Sequence, residues 1–316
     1  MNAKPFVRPR WAIQCAKAGK AFHIQKQSPL QHNVINILSA VLLWSFAAAI
    51  LYCIPFFPIW FSLPVGGVLI GCVFFGHFIL IIHECSHNMF MVSHTNAMTK
   101  KINRTIGRLA AIPFFTAYVK HWEKGHVTHH IKPCEEEDPQ NPDPLDGKRL
   151  LKRILCIWLI PMGFLPFNPS RQYSGGAQRT ISGLLCWMPV LWVLSQYNWA
   201  SAVAVYFGFA TVASLNLLKI AQEHGSGLAQ EFDPLLRSRT YFYPLQFLFS
   251  PFHIHYHFEH HANFNVPWYL LPRYHTAIQN LVPKELKPFY FHTEYISQMK
   301  GNKILPDPSV HEALSS

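Results

Sequence analysis

Three short stretches of the sequence crowd imidazoles together: His83-Glu-Cys-Ser-His87, His126-Val-Thr-His129-His130 and His257-Phe-Glu-His260-His261. On a helix, offsets of three and four residues return to one face, so the spacing predicts that each cluster aims all its imidazoles the same way. In a chain this rich in histidine an H-x-x-x-H match arises by chance about once, whereas an H-x-x-H-H match is expected roughly 0.1 times. Two of the rarer kind therefore read as a ligand set. Neutral imidazole suits iron, copper, nickel and zinc alike, and eight such groups exceed the four ligands that satisfy one zinc. Two metal ions are implied, and a pair with open coordination positions could bind and activate oxygen.

Several neighbouring residues join or compete with this reading. His224, in Gln222-Glu-His-Gly225, lies at the end of an apolar run and is a ninth candidate ligand. His121, His253 and His255 flank the clusters and are candidates for orienting the ligands. His77, inside an apolar run, is expected to be a hydrogen-bonded core residue or to line a cavity. Cys85 is two residues from His83, points to another helix face, and is expected to pack. His23, His32, His94, His275, His292 and His311 take no role. His83-Glu-Cys-Ser-His87 also satisfies H-E-x-x-H, the zinc-protease helix in which Glu84 would be the general base, with Asp146 of "NPDPLDG" as third ligand. That alternative leaves the other two clusters unexplained. A haem or transport protein would instead place histidines or acids across the middle of its spans, and those spans hold almost none.

The elements that must position these residues are apolar. Half of the 316 residues are hydrophobic and 14% are charged, while the 19 histidines outnumber the 16 Asp and Glu together. Between Gln27 and Thr99 the only Asp, Glu, Lys or Arg is Glu84, and a second uncharged window runs from Thr180 to Leu218. Pro55-Phe-Phe-Pro58 and Gln196-Tyr-Asn198 divide these windows into spans of about 34–54, 62–82, 180–197 and 199–218, long enough as helix to cross hydrocarbon. The fold expected is all-α, an integral membrane protein with four transmembrane helices in two hairpins and a helical cap on the cytosolic side that carries the histidine clusters. Residues 1–30 form a basic cytosolic segment, 31–285 the membrane domain and 286–316 a cytosolic tail.

Lysine and arginine are absent from both inter-helix turns, so the positive-inside rule places the termini, the central loop and all three clusters in the cytosol. An endoplasmic-reticulum membrane and a bacterial inner membrane satisfy this equally. Ile154–Phe167 and Tyr241–Phe252 are too short to cross and are expected to lie along the interface. The net charge of +11 flanks hydrophobic runs, which favours lipid headgroups over nucleic acid as the partner. Seven scattered cysteines without a C-x-x-C pair argue against a disulfide framework.

With the clusters in place, the sequence resembles the membrane fatty acid desaturase and hydroxylase family, whose pattern is H-x(3,4)-H, H-x(2,3)-HH and H-x(2,3)-HH around two transmembrane hairpins. "HECSH", "WEKGHVTHH" and "HYHFEHHANFNVPWYLLPRYH" carry the likeness, which covers roughly residues 34–285, and His224 matches the extra histidine of many members. The resemblance implies two non-haem irons held by His83, His87, His126, His129, His130, His224, His257, His260 and His261, with O2 as co-substrate. It implies a lipid or fatty acyl substrate and electrons from a separate carrier of ferredoxin or cytochrome b5 type, since no fused His-Pro-Gly-Gly domain is seen. The expected reaction is desaturation of an acyl chain. The stretch "DPQNPDP" is similar to a segment of carotenoid hydroxylase-like members, so lipid or carotenoid hydroxylation is the alternative; Asp138 and Asp143 there are expected to sit in a solvated, proline-stiffened loop.

Overall fold

The computed structural model of the chain describes residues 8–138, 147–165, 176–225, 228, 231 and 233–292. Helix dominates it. In chain order the main helices are α1 (Arg10–Ala18), α2 (Pro29–Cys53), α3 (Ile59–His77), α4 (Asn96–Ala111), α5 (Val127–Ile131), α6 (Gly147–Leu159), α7 (Gly176–Tyr197), α8 (Trp199–His224), α9 (His257–Ala262) and α10 (Leu271–Ile278). Two-residue strands β1 (Thr240–Tyr241) and β2 (Phe291–His292) pair in parallel. Four stretches are long and apolar enough to cross a membrane: Pro29–Phe56, Ile59–Ser86, Ala177–Tyr197 and Trp199–His224. Each is a helix because, without water, backbone groups can be satisfied only within the segment. The chain forms two compact units, a span unit of Ser28–Val127 and Lys152–Leu217, and a second unit of Met1–Gln27, Thr128–Leu151 and Leu218–Ser316.

In the span unit, Ser28 caps α2 by accepting the Gln31 N–H, and Pro29 occupies the first turn, where a missing N–H is harmless. Leu38, Val41, Leu42 and Phe46 of α2 are exposed, a surface suited to hydrocarbon, whereas α3 is largely buried. Small residues let α3 and α8 approach: a Cβ on Gly67 would stand 2.6 Å from that of Phe207, and one on Gly71 2.3 Å from that of Thr211. His77 is a satisfied core residue. Its Nδ1 accepts from Trp44 Nε1 at 3.2 Å and its Nε2 donates to the Ala110 carbonyl at 3.0 Å, so both nitrogens are committed.

Past His77 the helix widens into a π turn over Phe78–His83 before closing as Glu84–Ser86, and a longer π segment spans Tyr118–His126. Gly107 of α4 lets that second segment lie close, since a Cβ there would meet the Tyr118 ring at 2.1 Å. The loop leaving the first cluster is strapped down by amides. Asn36 Nδ2 donates to the Phe90 carbonyl at 2.8 Å, Asn33 exchanges two bonds with Val92, and Asn103 exchanges two with Met91. The backbone carrying His87 is thereby tied to α2 and α4.

The second unit is built around α9. Trp11 and Cys15 of α1 are buried in one apolar cluster with Phe258, Tyr274, Ile278 and Tyr290. Tyr274 Oη donates to the Cys15 carbonyl at 2.8 Å. Glu259, inside the third histidine cluster, accepts from His275 Nδ1 and from Thr240 Oγ1, bonding α9 to α10 and β1. The basic N-terminal segment, from Arg8 onward, is therefore part of a packed core. Residues 1–7, Asp143 and Asp146, the Pro166-Phe167 end of the interfacial stretch and residues 293–316 lie outside the described residues.

Candidate metal centre

His83 and His87 emerge from the π-wound end of the second span, and His126 ends the other π segment. Their ring centroids form a near-equilateral triangle of 4.7, 4.7 and 4.8 Å. One nitrogen from each lies within 4.8 Å of the others, and the Nε2 atoms of His87 and His126 are 3.0 Å apart. Glu84 Oε1 accepts from His83 Nδ1 at 3.2 Å. Trp122 packs on His126, Phe78 on Trp122 and Phe114 on Phe78, an aromatic wall beside the trio.

In the second unit His129, His224, His257 and His261 are all buried, again with ligand atoms within 4.8 Å of one another. Two of the four rings have a fixed hydrogen-bond partner at Nδ1. His129 Nδ1 donates to Asp138 Oδ2 at 2.9 Å, and the same oxygen accepts the Cys134 N–H at 2.8 Å. His224 Nδ1 donates to the Arg237 carbonyl at 2.8 Å. Glu223 Oε1 stands 3.3 Å from His257 Nδ1, off line for a hydrogen bond but close enough to favour a proton there, and Lys219 Nζ holds the other oxygen of that carboxylate. His130 turns to His260, with centroids 4.6 Å apart, and to His261 at 4.4 Å.

The clusters do not each aim one way, as their spacing predicted. His126 makes its ring contacts with His83 and His87, while His129 meets His224 and His261. In the third cluster His257 and His261 join the quartet and His260 turns to His130. Adjacent histidines are about 100° apart around a helix, so each His-His doublet is a fork whose two tines serve different sets. Offsets of three and four share a face only loosely, and here the looseness is used.

These residues fit metal ions. His224 commits Nδ1 as a donor, so its Nε2 carries a lone pair that faces His257 Nε2 at 2.9 Å, and Glu223 Oε1 stands 3.3 Å from His257 Nδ1. Two lone pairs at that distance repel unless a cation or proton lies between them. Burial first, and the positive neighbours second, push His257 and His261 well below their usual 6.5 and keep them neutral. A cation could take the place of a proton between the two rings, and His261 has no hydrogen-bond partner for either nitrogen among the described residues. Such a set of neutral, oriented, buried imidazoles could hold iron.

The fatty acid desaturase family model matches residues 58–293, about three quarters of the chain and all nine candidate histidines. The chain belongs to the fatty acid desaturase family. No curated protein matches it. The family and the four apolar helices make this desaturase-family chain an all-α integral membrane protein, and its activity an oxidoreductase modification of fatty acyl chains. The zinc-protease alternative loses its ground, since His83 and His87 share their set with His126.

Three acidic residues, Glu84, Asp138 and Glu223, stand against candidate ligands, and the sequence singled out none of them in that part. Glu84, Asp138, Glu223 and Glu259 are 0–4% exposed and touch His83, His129, His257 and His275 respectively. Asp138 is thus buried and ligand-facing, where a solvated loop was expected, because turning inward lets it accept both an imidazole and a backbone N–H. His253 and His255, expected to orient ligands, instead contact each other, Tyr256 and Trp268. The available signal was charge scarcity: an acid beside a histidine in so uncharged a chain needs a buried partner.

Proposed function

We propose that this protein introduces a double bond into a lipid-linked fatty acyl chain, using O2 and electrons from a separate carrier of ferredoxin or cytochrome b5 type. One iron would be held by His83, His87 and His126 and another by His129, His224, His257 and His261, with His130 and His260 as further candidate ligands. Only Val127 and Thr128 separate His126 from His129 in the chain. The observation that carries the reading is the gathering of His129, His224, His257 and His261, all four buried and with ligand atoms within 4.8 Å of one another.

Iron bound there supplies the redox chemistry, uniting oxygen, electrons and an unactivated C–H bond. The balance is one acyl –CH2–CH2–, O2, two electrons and two protons giving –CH=CH– and two waters. The protein's own groups orient and desolvate. Asp138 and the Arg237 carbonyl hold Nδ1 protons so that Nε2 faces inward, Glu223 stands beside His257 Nδ1, and Phe78, Phe114 and Trp122 offer an apolar wall for the alkyl chain. The distribution of Lys and Arg supports a cytosolic centre, and 31–285 as the catalytic region with flanking segments on that side.

Hydroxylation is the second reading, favoured by Asp138, the first residue of the "DPQNPDP" stretch, standing against His129. Expression in a host lacking the activity, with lipid profiling of the native chain and His129→Ala, decides between them. A new olefin that disappears in the variant supports desaturation, and a new hydroxyl carrying oxygen from 18O2 supports the alternative. Unchanged lipids in aerobic cells containing the iron-loaded protein would refute both.

A further inference from the structure

A solvent-facing cavity in the second unit ends on a member of the quartet. Its volume is about 310 Å3, and its wall runs from Ile13, Lys17 and Lys20 through His23 to His261 and Phe264. Lys17 and Lys20 are exposed, and Arg8 at the rim is held by Asp233 at 2.7 and 2.9 Å. No Asp or Glu lines the cavity among the described residues.

The walls are stitched together. Asn263 Oδ1 lies 2.8 Å from His23 Nε2, Asn263 Nδ2 donates to the Ala16 carbonyl at 3.0 Å, and the Ile24 N–H donates to the Asn265 carbonyl at 3.0 Å. Gly19 makes the approach possible, since a Cβ there would stand 2.7 Å from Asn263. The opening is therefore preformed.

Its floor and lip are aromatic. His261 is 7% exposed with neither nitrogen hydrogen-bonded among the described residues, whereas Phe264 is 43% exposed and its ring centroid is 5.3 Å from that of His130. His130 and His261 are in turn 4.4 Å apart. Ring-to-ring contacts thus lead from the exposed Phe264 through His130 to His261 of the quartet.

We infer that this basic funnel is the docking face of the electron carrier, an acidic redox protein that seats on Ile13 and Phe264 with its carboxylates against Lys17 and Lys20. The inference rests on the two-iron reading above. An exposed apolar centre ringed by like charges has the anatomy of a transient interface, and the charges raise the encounter rate with an acidic partner. In each encounter a one-electron carrier is oxidised and the centre reduced by one electron, with no bond made or broken; two encounters supply the two electrons of a turnover.

The test uses the full chain in zwitterionic nanodiscs, with a plant-type ferredoxin and a soluble cytochrome b5 domain as probes. Binding to the iron-free protein is measured at low and high salt for the native chain, Lys17→Glu/Lys20→Glu and Phe264→Ala. The charge reversal is expected to weaken binding by about tenfold at low salt, and the difference to shrink at high salt. In the iron-loaded protein it raises KM for the carrier by a similar factor and leaves dithionite-driven turnover unchanged. Equal binding by native and reversed proteins overturns the inference. So does inorganic phosphate inhibiting dithionite-driven and carrier-driven turnover alike, which would mark a small-anion site, or a reversal effect that appears only with phosphatidylglycerol, which would mark a lipid headgroup site. Absence of dithionite-driven turnover sinks the two-iron reading instead, while the iron-free binding arm still reports on docking.

Discussion

Behind the imidazoles of the quartet stand dedicated acceptors: Asp138 at 2.9 Å from His129, the Arg237 carbonyl at 2.8 Å from His224, and Glu223 at 3.3 Å from His257. The trio is delivered differently. His83 and His126 close two π-wound segments, and His87 follows one turn later on a loop strapped by Asn33, Asn36 and Asn103. In one region side-chain chemistry aims the rings; in the other, backbone winding does most of it. A π turn shifts the side-chain register by about one residue without ending the helix, so a ligand can be re-aimed at the end of an apolar span where few polar partners are at hand. The two sets should therefore fail under different perturbations.

Removing a ligand should have the largest effect. His126→Ala and His257→Ala are each expected to abolish product formation while iron, measured by elemental analysis, falls from two per chain to one. Loss of both irons from either variant would show the sets to be inseparable. Next, Gly107→Val should strike the trio alone by driving a side chain into Tyr118, lowering stability by about 1–3 kcal/mol in thermal denaturation and releasing one iron.

Asp138→Asn should strike the quartet alone, with about 10- to 100-fold weaker iron binding by chelator competition and an unchanged trio. Acidification tests the same set. His257 and His261 are held below 6.5 when folded and return to it when unfolded, so the unfolded chain takes up protons first as pH falls. Stability is fully present above 6.5 and is lost below it, toward the depressed folded values, by up to about 1.4 kcal/mol per pH unit for each group. Through these two groups the melting temperature of the iron-free protein should fall as pH drops below 6.5. The smallest effect is expected for Glu84→Gln, less than about tenfold in iron affinity, because His83 is aimed by its backbone. A loss as large as that of Asp138→Asn would erase the contrast between the two regions.

Much of this centre was legible in the residues. Within the span unit His83, His87 and His126 lie together, and within the second unit His129, His224, His257 and His261 do; box spacing, a property of the chain itself, had marked all of them but His224 as candidates. The grouping was not legible, because His129 and His130 are interchangeable in a spacing pattern and are separated only by a 100° turn of helix. The acidic partners were hidden for a related reason: Glu223 meets His257 across 33 intervening residues, and Glu259 turns its carboxylate toward His275 and away from the ligands beside it. The N-terminal segment looked like a free basic tail, yet Trp11 and Cys15 are buried, a consequence of an apolar face on α1 too short to stand out in a linear scan.

By itself the sequence determined that the chain has four helices long and apolar enough to cross a membrane and that imidazole is the side chain it clusters where a metal could be held, because hydrophobic run length and residue type act locally. Which histidine joins which set, which carboxylate orients it, and where the rings open to solvent were decided only by tertiary structure. Those properties depend on the direction of side chains a few ångströms apart, and direction is set by winding and packing, which no count of residues between two positions contains.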